Sequence, residues 1–372
     1  MDYEVDFIAV GDGCKSGDAI ALRFGNLTGP RNQWAVVVID AGTKASGEKL
    51  VETIKNRYQT TIVDLVVSTH PDGDHASGLT VIFDELTVKR LWMHRPWDHS
   101  EYIHDLFVDG RITEESMDRR LRESLEHAHE LEKIANRKAI PIDEPFSGET
   151  AFGDYLRVLG PSRWFYRELL PHFRDCPDVK SDAFSVGAML SKAASAVAEA
   201  ITTVFESWSI ETLADPDTEA TDHAENNSSV ILLLEVDGNR VLFTADAGVP
   251  ALERAADYAD SIGVDLRTVS KVQIPHHGSK RNVGPSILNR IIGPKLATQA
   301  SPGVDAKSGI ASVAIDGAPK HPAKKVLNAF RRRGVRWTLT RGSNIWWHTK
   351  GAPPRSDYGP TDEPGFFSQV EE

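Results

Sequence analysis

The sequence predicts an α/β protein with two β-rich halves and a mainly helical insert between them. Short apolar runs broken by Gly and Pro occupy the first ninety or so positions and recur after residue 229. Between these halves the apolar spacing changes from about two residues to about 3.6. In the first half Val5–Val10, Ala19–Phe24 and Ala35–Ile39 read as strands, punctuated by Gly11, Gly13, Gly17 and Gly29-Pro30. Glu48–Tyr58 reads as a helix, Ile62–Val67 as a buried strand, Ser77–Glu85 as a helix and Thr87–Met93 as a further strand. In the insert, residues 96–222, Met117, Leu121, Leu125, Leu131 and Ile134 mark a helical stretch over Thr113–Lys138. Val186, Leu190, Val197, Ile201 and Val204 mark another over Ser181–Leu213. The second half opens with Val230–Val236 and Arg240–Thr244, joined by the hairpin turn Asp237-Gly238-Asn239. Lys271–Ile274, Lys295–Thr298, Arg336–Thr340 and Asn344–Trp347 follow as strands, with Pro322–Arg333 as a helix. One domain over 1–350, interrupted by the insert, would then end in a flexible acidic, Pro-rich tail at 351–372.

With 40% hydrophobic and 26% charged residues, the composition is that of a soluble globular chain. No apolar run approaches the roughly 20 residues that span a bilayer, and Met1-Asp2-Tyr3-Glu4 lacks a signal-peptide pattern, so a cytoplasmic location is expected. Cys14 and Cys176 cannot make a disulfide framework or a thiolate zinc site. The net charge of −12 argues against wholesale binding of polyanions. Between Gly317 and Ser356, however, there is no acidic residue, while Lys320, Lys324, Lys325, Arg331, Arg332, Arg333, Arg336 and Arg341 fall there. That segment is either a phosphate-facing surface or a helix face balanced by acidic neighbours elsewhere.

The chemistry concentrates in Ser68-Thr69-His70-Pro71-Asp72-Gly73-Asp74-His75, directly after the strand Ile62–Val67. A turn loosened by Pro71 and Gly73 can aim His70, Asp72, Asp74 and His75 at one point, as metal binding requires. A solvated Asp/Gly turn is the plain alternative. Asp246 and His276-His277-Gly278-Ser279 also follow apolar strands, where α/β sites form. Singly, Asp246 could cap a helix and the histidines could be a satisfied loop. Together the three groups favour a site.

The string His70-x-Asp72-x-Asp74-His75 resembles the first ligand motif of the metallo-β-lactamase superfamily, written HxHxDH. Asp at the second ligand position, with Pro275-His276-His277-Gly278-Ser279, resembles the branch typified by the metallo-hydrolase domain of the DNA-uptake protein ComEC. Val38-Ile39-Asp40-Ala41-Gly42, Asn226-Asn227-Ser228-Ser229-Val230, Leu242–Asp246 and His321-Pro322 add to the match, which covers about 4–95 and 223–348. The resemblance implies an αββα sandwich with two divalent ions at the sheet edges, Zn²⁺ or Mn²⁺ with Mg²⁺ as a further candidate. It implies that His70 and Asp72 hold one ion and Asp74 and His75 the other, with Asp246 bridging and His276 completing the second site. Two departures stand out. Glu225-Asn226-Asn227-Ser228 stands where a third imidazole is common, and Gly11-Asp12-Gly13 with Gly17-Asp18 replaces the usual Gly-Gln-Gly-Asp loop. Oxygen-rich sites favour Mn²⁺ or Mg²⁺ relative to Zn²⁺.

A dinuclear site lowers the pKa of a shared water and suits an anionic ester, above all a phosphodiester. Asp74 or Asp246 would act as general base and His321 as the acid that protonates the leaving oxygen. Asp40 would hold a ligand histidine in orientation, and Asn227, His277, Ser279 and Lys280 would support the site or bind substrate. The leading expectation is a nuclease or phosphodiesterase on DNA or RNA, in a DNA-processing or defence setting. A hydrolase of small esters, lactones or thioesters is the second reading. The third is a partner-docking subunit with a regulatory metal site, using the 96–222 insert and some of Trp92, Trp97, Trp164 and Trp208.

Overall fold

Two mixed sheets of seven strands each lie face to face, and each buries alternate residues of its strands against the other. The computed structural model describes residues 1–11, 16–180, 203–216, 223–299, 307–316, 321–356 and 365–371. The first sheet runs, edge to edge, Ile345–His348, Asp2–Phe7, Ala19–Gly25, Trp34–Ala41, Leu65–Val67, Leu91–Trp92 and Ile142–Asp143. The second runs Val335–Leu339, Lys307–Ala311, Lys271–Gln273, Asn239–Phe243, Ile231–Val236, Leu156–Gly160 and Thr150–Ala151.

The period-two alternation explains the layering. Along Trp34–Ala41, Ala35, Val37 and Ile39 enter the core between the sheets, while Val36 and Val38 face outward with Leu50, Val51 and Ile54 of helix Lys44–Asn56. Opposite, Leu232 and Leu234 point inward, and helix Val249–Ser261 covers strand Leu156–Gly160 from outside. Phe7 and Phe243 meet across the gap with ring centroids 6.4 Å apart. Each such fully buried side chain contributes about 1.5–3 kcal/mol. The order helix, sheet, sheet, helix is the expected αββα sandwich, a mixed α/β fold. No helix among the described residues is long and apolar enough to cross a membrane.

Parallel pairing directs the strand ends. Trp34–Ala41 pairs parallel with Leu65–Val67, and Asn239–Phe243 with Lys271–Gln273. Asp40, His70, Asp246 and His276 therefore leave the two sheets at one end of the sandwich, as side chains following parallel strands do.

Several expectations change. The insert is not wholly helical. Ile142–Asp143 adds an edge strand to the first sheet, and Thr150–Ala151 and Leu156–Gly160 extend the second. Two-residue strands are too short to show a period, and Leu156–Gly160 continues the buried face of its neighbour. The helix expected over Thr113–Lys138 divides at Leu125 (φ −111°, ψ 48°) into Glu114–Ser124 and Glu126–Arg137. Of the helix expected over Ser181–Leu213, residues 181–202 lie outside the described residues, and Thr203–Phe205 is a strand. Lys295–Thr298 is not a strand; Lys307–Ala311 takes that place in the sheet.

The described parts of the tail are anchored. Gln369–Glu371 pairs antiparallel with Thr203–Phe205, and Phe367 stacks on Trp337 at 5.8 Å. Arg355 is buried against Glu4 and Asp6. The basic segment is likewise engaged internally. Arg332 is fully buried and donates from both terminal nitrogens to Glu206 Oε2 at 3.1 Å, and Arg333 pairs with Glu211 at 2.7 Å. Of the tryptophans near the insert, Trp92 and Trp97 are core, Trp208 donates to the Leu296 carbonyl, and Trp164 is exposed.

Candidate metal centre

The loop after Leu65–Val67 starts with Thr69, whose N–H and hydroxyl donate to the two Asp40 oxygens at 2.8 and 2.5 Å. Asp40, at φ 51°, also faces His75 Nδ1 at 2.9 Å. A carboxylate accepting the Nδ1–H fixes the tautomer and turns the Nε2 lone pair inward. His75 Nε2 then lies 3.4 Å from Asp246 Oδ2, and His70 Nε2 lies 4.0 Å from the same oxygen. The His70 and His75 rings are 4.2 Å apart.

The second sheet supplies the opposite wall. Pro275–Gly278 is a left-handed corner, with His276 at φ 44°, His277 at φ 56° and Gly278 at φ 84°. Non-glycine residues reach this region only when their surroundings hold them there. The corner directs both imidazoles at Asp246: His276 Nε2 is 3.6 Å from Oδ2 and His277 Nε2 is 3.6 Å from Oδ1. Asn282 completes it, facing His276 Nδ1 through Oδ1 at 3.0 Å and donating to the Asp246 carbonyl at 3.0 Å.

Among the described residues, three carboxylate–imidazole groups have ligand atoms close enough to share an ion: Asp40–His70–His75, Asp74–His75–His277 and Asp18–His75–Asp246. Their fit to a cation shows in the buried polar atoms that lack a hydrogen bond. His70 Nε2, His75 Nε2, His277 Nε2, Asp246 Oδ1 and Asp18 Oδ1 are all buried without one among the described residues. Leaving so many polar atoms unpaired would cost about 1–3 kcal/mol each. Ligands on a shared ion with bonds near 2.1 Å stand roughly 3–3.5 Å apart, close to the separations here. The residues fit divalent cations.

The local fields differ from group to group. Burial, reinforced by His75, holds the His70 imidazole well below its usual pKa. Burial also opposes charge on His75, but Asp246 and Asp40 carry it well above the usual value. Burial works against an ionised Asp246, and His276, His277 and His75 outweigh it and hold the carboxyl low. Asp18 is pushed up by burial.

The expected residues separate into groups. His70, His75, Asp246, His276 and His277 converge, with Asp74 in reach of His75 and His277. His277 therefore faces the centre as His276 does. Asp72 Oδ2 is 3.8 Å from His70 Nε2, but its Oδ1 pairs with Arg174 from the insert. His321 stacks on His276, with centroids 5.7 Å apart and planes at 18°. Ser279 is buried and accepts from the Arg281 N–H, and Lys280 is partly exposed. Asn227 is spent on packing: its Nδ2 donates to the His223 carbonyl, and its side chain lies against Gly248.

Sequence reasoning does not reach Asp18, Gln273 or Asn282. Gln273 donates to Asp18 Oδ2 at 2.7 Å and accepts from the Thr244 and Ala245 N–H groups at 3.0 Å, tying the first sheet's loop to the Asp246 loop. The available signal was Gly17-Asp18. A Cβ on Gly17 would stand 2.1 Å from the Asp74 carbonyl oxygen, so only glycine lets this loop approach the motif.

A family model described as the metallo-beta-lactamase superfamily matches residues 32–291. No curated protein matches. Among solved structures, a metal-dependent hydrolase of the beta-lactamase superfamily, Tm1679, is similar at 11% identity and a TM-score of 0.40, covering 92% of this chain and 98% of its own. A diphosphatase from the PhnP family is similar at 10% identity and 0.39, covering 94% and 98%. Unliganded yeast PDE1 is similar at 10% identity and 0.39, covering 91% and 97%.

Proposed function

The chain belongs to the metallo-beta-lactamase superfamily and is a metal-dependent hydrolase, and on that premise we propose that it cleaves phosphodiester bonds of nucleic acid using two divalent cations. The observation that carries this reading is the mixed set of carboxylates and imidazoles gathered around Asp246. Asp18, Asp72 and Asp74 stand beside imidazoles that lack hydrogen-bond partners among the described residues, and Glu225-Asn226-Asn227-Ser228 stands where a further imidazole is common in the superfamily. The carboxylates suit Mn²⁺ or Mg²⁺ and the imidazoles suit Zn²⁺. Together they suit a substrate that brings its own anionic oxygens. The finer likeness to the ComEC-type domain rests on Asp72 and the 275–279 string and belongs to the same proposal, as does a cytoplasmic location.

In this reading His70, Asp72, Asp74, His75, Asp246, His276 and His277 hold the cations, with Asp18 beside them and Asp40 and Asn282 orienting the imidazoles. The bound ions supply Lewis-acid activation of water and neutralise phosphoryl charge. Asp74 takes a proton from the attacking water as its oxygen bonds to phosphorus. His321 donates a proton to the ester oxygen as the other P–O bond breaks.

Polymer recognition by the Lys320–Arg341 segment is not part of the proposal, because Arg332 and Arg333 are consumed by Glu206 and Glu211. That same pairing favours the second reading, a hydrolase of small esters. Exposed Trp164 and Tyr102 support the insert as a docking face for a protein partner. The test is an assay on single- and double-stranded DNA and RNA and on bis(4-nitrophenyl) phosphate, with Mn²⁺, Mg²⁺ and Zn²⁺. We expect Mn²⁺- or Mg²⁺-stimulated cleavage of both polymer and small diester. With few phosphates neutralised by protein cations, the log–log salt slope should be shallow, about one unit per contact. Activity confined to lactones or thioesters would overturn the reading.

A further inference from the structure

Arg174 belongs to the insert, yet its guanidinium reaches the ligand loop. Its backbone N–H and Nε donate to one oxygen of Glu225, at 2.6 and 3.0 Å, and Nη2 meets Asp72 Oδ1. Glu225 is buried, its side chain only 3% exposed, so it is a fixed anchor. From behind, the Ser124 hydroxyl donates to the Arg174 carbonyl at 3.2 Å, and Arg120 donates to the Asp175 carbonyl at 3.0 Å. Helix Glu114–Ser124 thus sets where this arginine stands. The Arg174 side chain is 47% exposed, and among the described residues Nη1 has no partner. A purely structural arginine in this protein looks different: Arg332 is fully buried with its nitrogens spent.

We propose that Arg174 is the residue that recognises the anionic group of the substrate, a phosphate ester, at the mouth of the metal centre. Nε stays on Glu225. The outer edge formed by Nη1 and Nη2 lies beside Asp72, and Nη2 would become fully available when Asp72 turns to a cation. That edge matches two phosphoryl oxygens in the bidentate geometry that distinguishes Arg from Lys. The assignment rests on the phosphodiesterase reading for its substrate, but the site's preference for a tetrahedral oxyanion can be measured separately.

The experiment uses the metal-loaded full chain and its Arg174→Gln and Arg174→Lys variants, with inorganic phosphate as the probe. Calorimetry gives the phosphate dissociation constant, elemental analysis the metal content, and steady-state assays KM and kcat for bis(4-nitrophenyl) phosphate. One charged hydrogen-bonding contact corresponds to about 10–100-fold in affinity. Arg174→Gln should weaken phosphate by that factor and raise KM more than it lowers kcat, with metal content unchanged. Arg174→Lys should recover only part, since it restores charge without the fork. Unchanged phosphate affinity in Arg174→Gln, or a loss wholly accounted for by lost metal, would overturn the assignment while wild-type diester cleavage still supported the functional reading. Wild type that binds phosphate through Arg174 yet cleaves no diester would instead overturn the functional reading and leave Arg174 as an oxyanion site.

Discussion

Two buried charge clusters in this protein differ in what completes them. Around Arg332, the guanidinium meets Glu206 on both terminal nitrogens, Asn328 donates to the same carboxylate at 2.6 Å, and the Ile210 carbonyl accepts a further bond. Around Asp246, four imidazoles approach one carboxylate, and three of their nitrogens have no hydrogen-bond partner among the described residues. The first cluster is closed by the chain's own atoms. The second is assembled and held by Asp40, Asn282 and Gln273, with its ligand atoms turned toward a common centre. Burying unpaired polar groups is costly, so the second arrangement makes physical sense when a cation completes it.

The comparison can be broken most forcefully at the centres themselves. Asp246→Ala should remove the carboxylate that all four imidazoles face and lower hydrolysis by at least about 10³-fold, the scale of losing a principal electrostatic contact. The variant should still fold, which circular dichroism and thermal melting would check. Arg332→Ala should do the reverse. Stranding Glu206 should cost about 3–5 kcal/mol of stability, read by urea unfolding, while the folded fraction keeps its metal content.

A third cluster sharpens the contrast. Glu144 faces His99 at 3.0 Å and accepts the Arg95 N–H at 3.0 Å. Burial opposes its ionisation, but the His99 hydrogen bond and the His94 and His99 charges outweigh that and bring its pKa down to about 2. The unfolded value is about 4.3. A depressed folded pKa gives stability that is present above the unfolded value and lost as pH falls from about 4 toward 2. Glu144→Gln should therefore be less stable at neutral pH by up to about 3 kcal/mol, with the difference vanishing near pH 2 in acid-unfolding curves. If the gap persists at low pH, the pair contributes by packing rather than charge.

The smallest effect is expected at Asp40→Asn. The amide preserves shape but loses the charge that orients His75, so metal affinity should fall about 10–100-fold without loss of fold. Competition with a chelating dye measures it. An unchanged affinity would mean that His75 needs no orienting carboxylate.

The contrast also explains what the sequence could reveal. A period-two strand that ends in a tight ligand string is a local pattern, so His70 to His75 and Asp246 were legible with the two-sheet organisation. Glu206 lies 126 positions from Arg332, and nothing in a run of basic residues says whether its partner is a phosphate or a distant glutamate. The left-handed corner at His276 and His277 is marked only by Gly278, which does not say where the two imidazoles point. Asp18 was marked only by Gly17. The strands Ile142–Asp143 and Thr150–Ala151 gain their conformation from neighbours in the sheets, which a two-residue period cannot announce.

The central claim is that cations complete the Asp246 cluster, and metal analysis of the purified full chain alongside thermal melting with and without chelator tests it most directly. We predict two divalent ions per chain, a lower melting temperature after chelation, and loss of both ions in Asp246→Ala. Wild-type protein that binds no metal when offered Mn²⁺, Mg²⁺ or Zn²⁺, and melts at the same temperature with chelator, would contradict it.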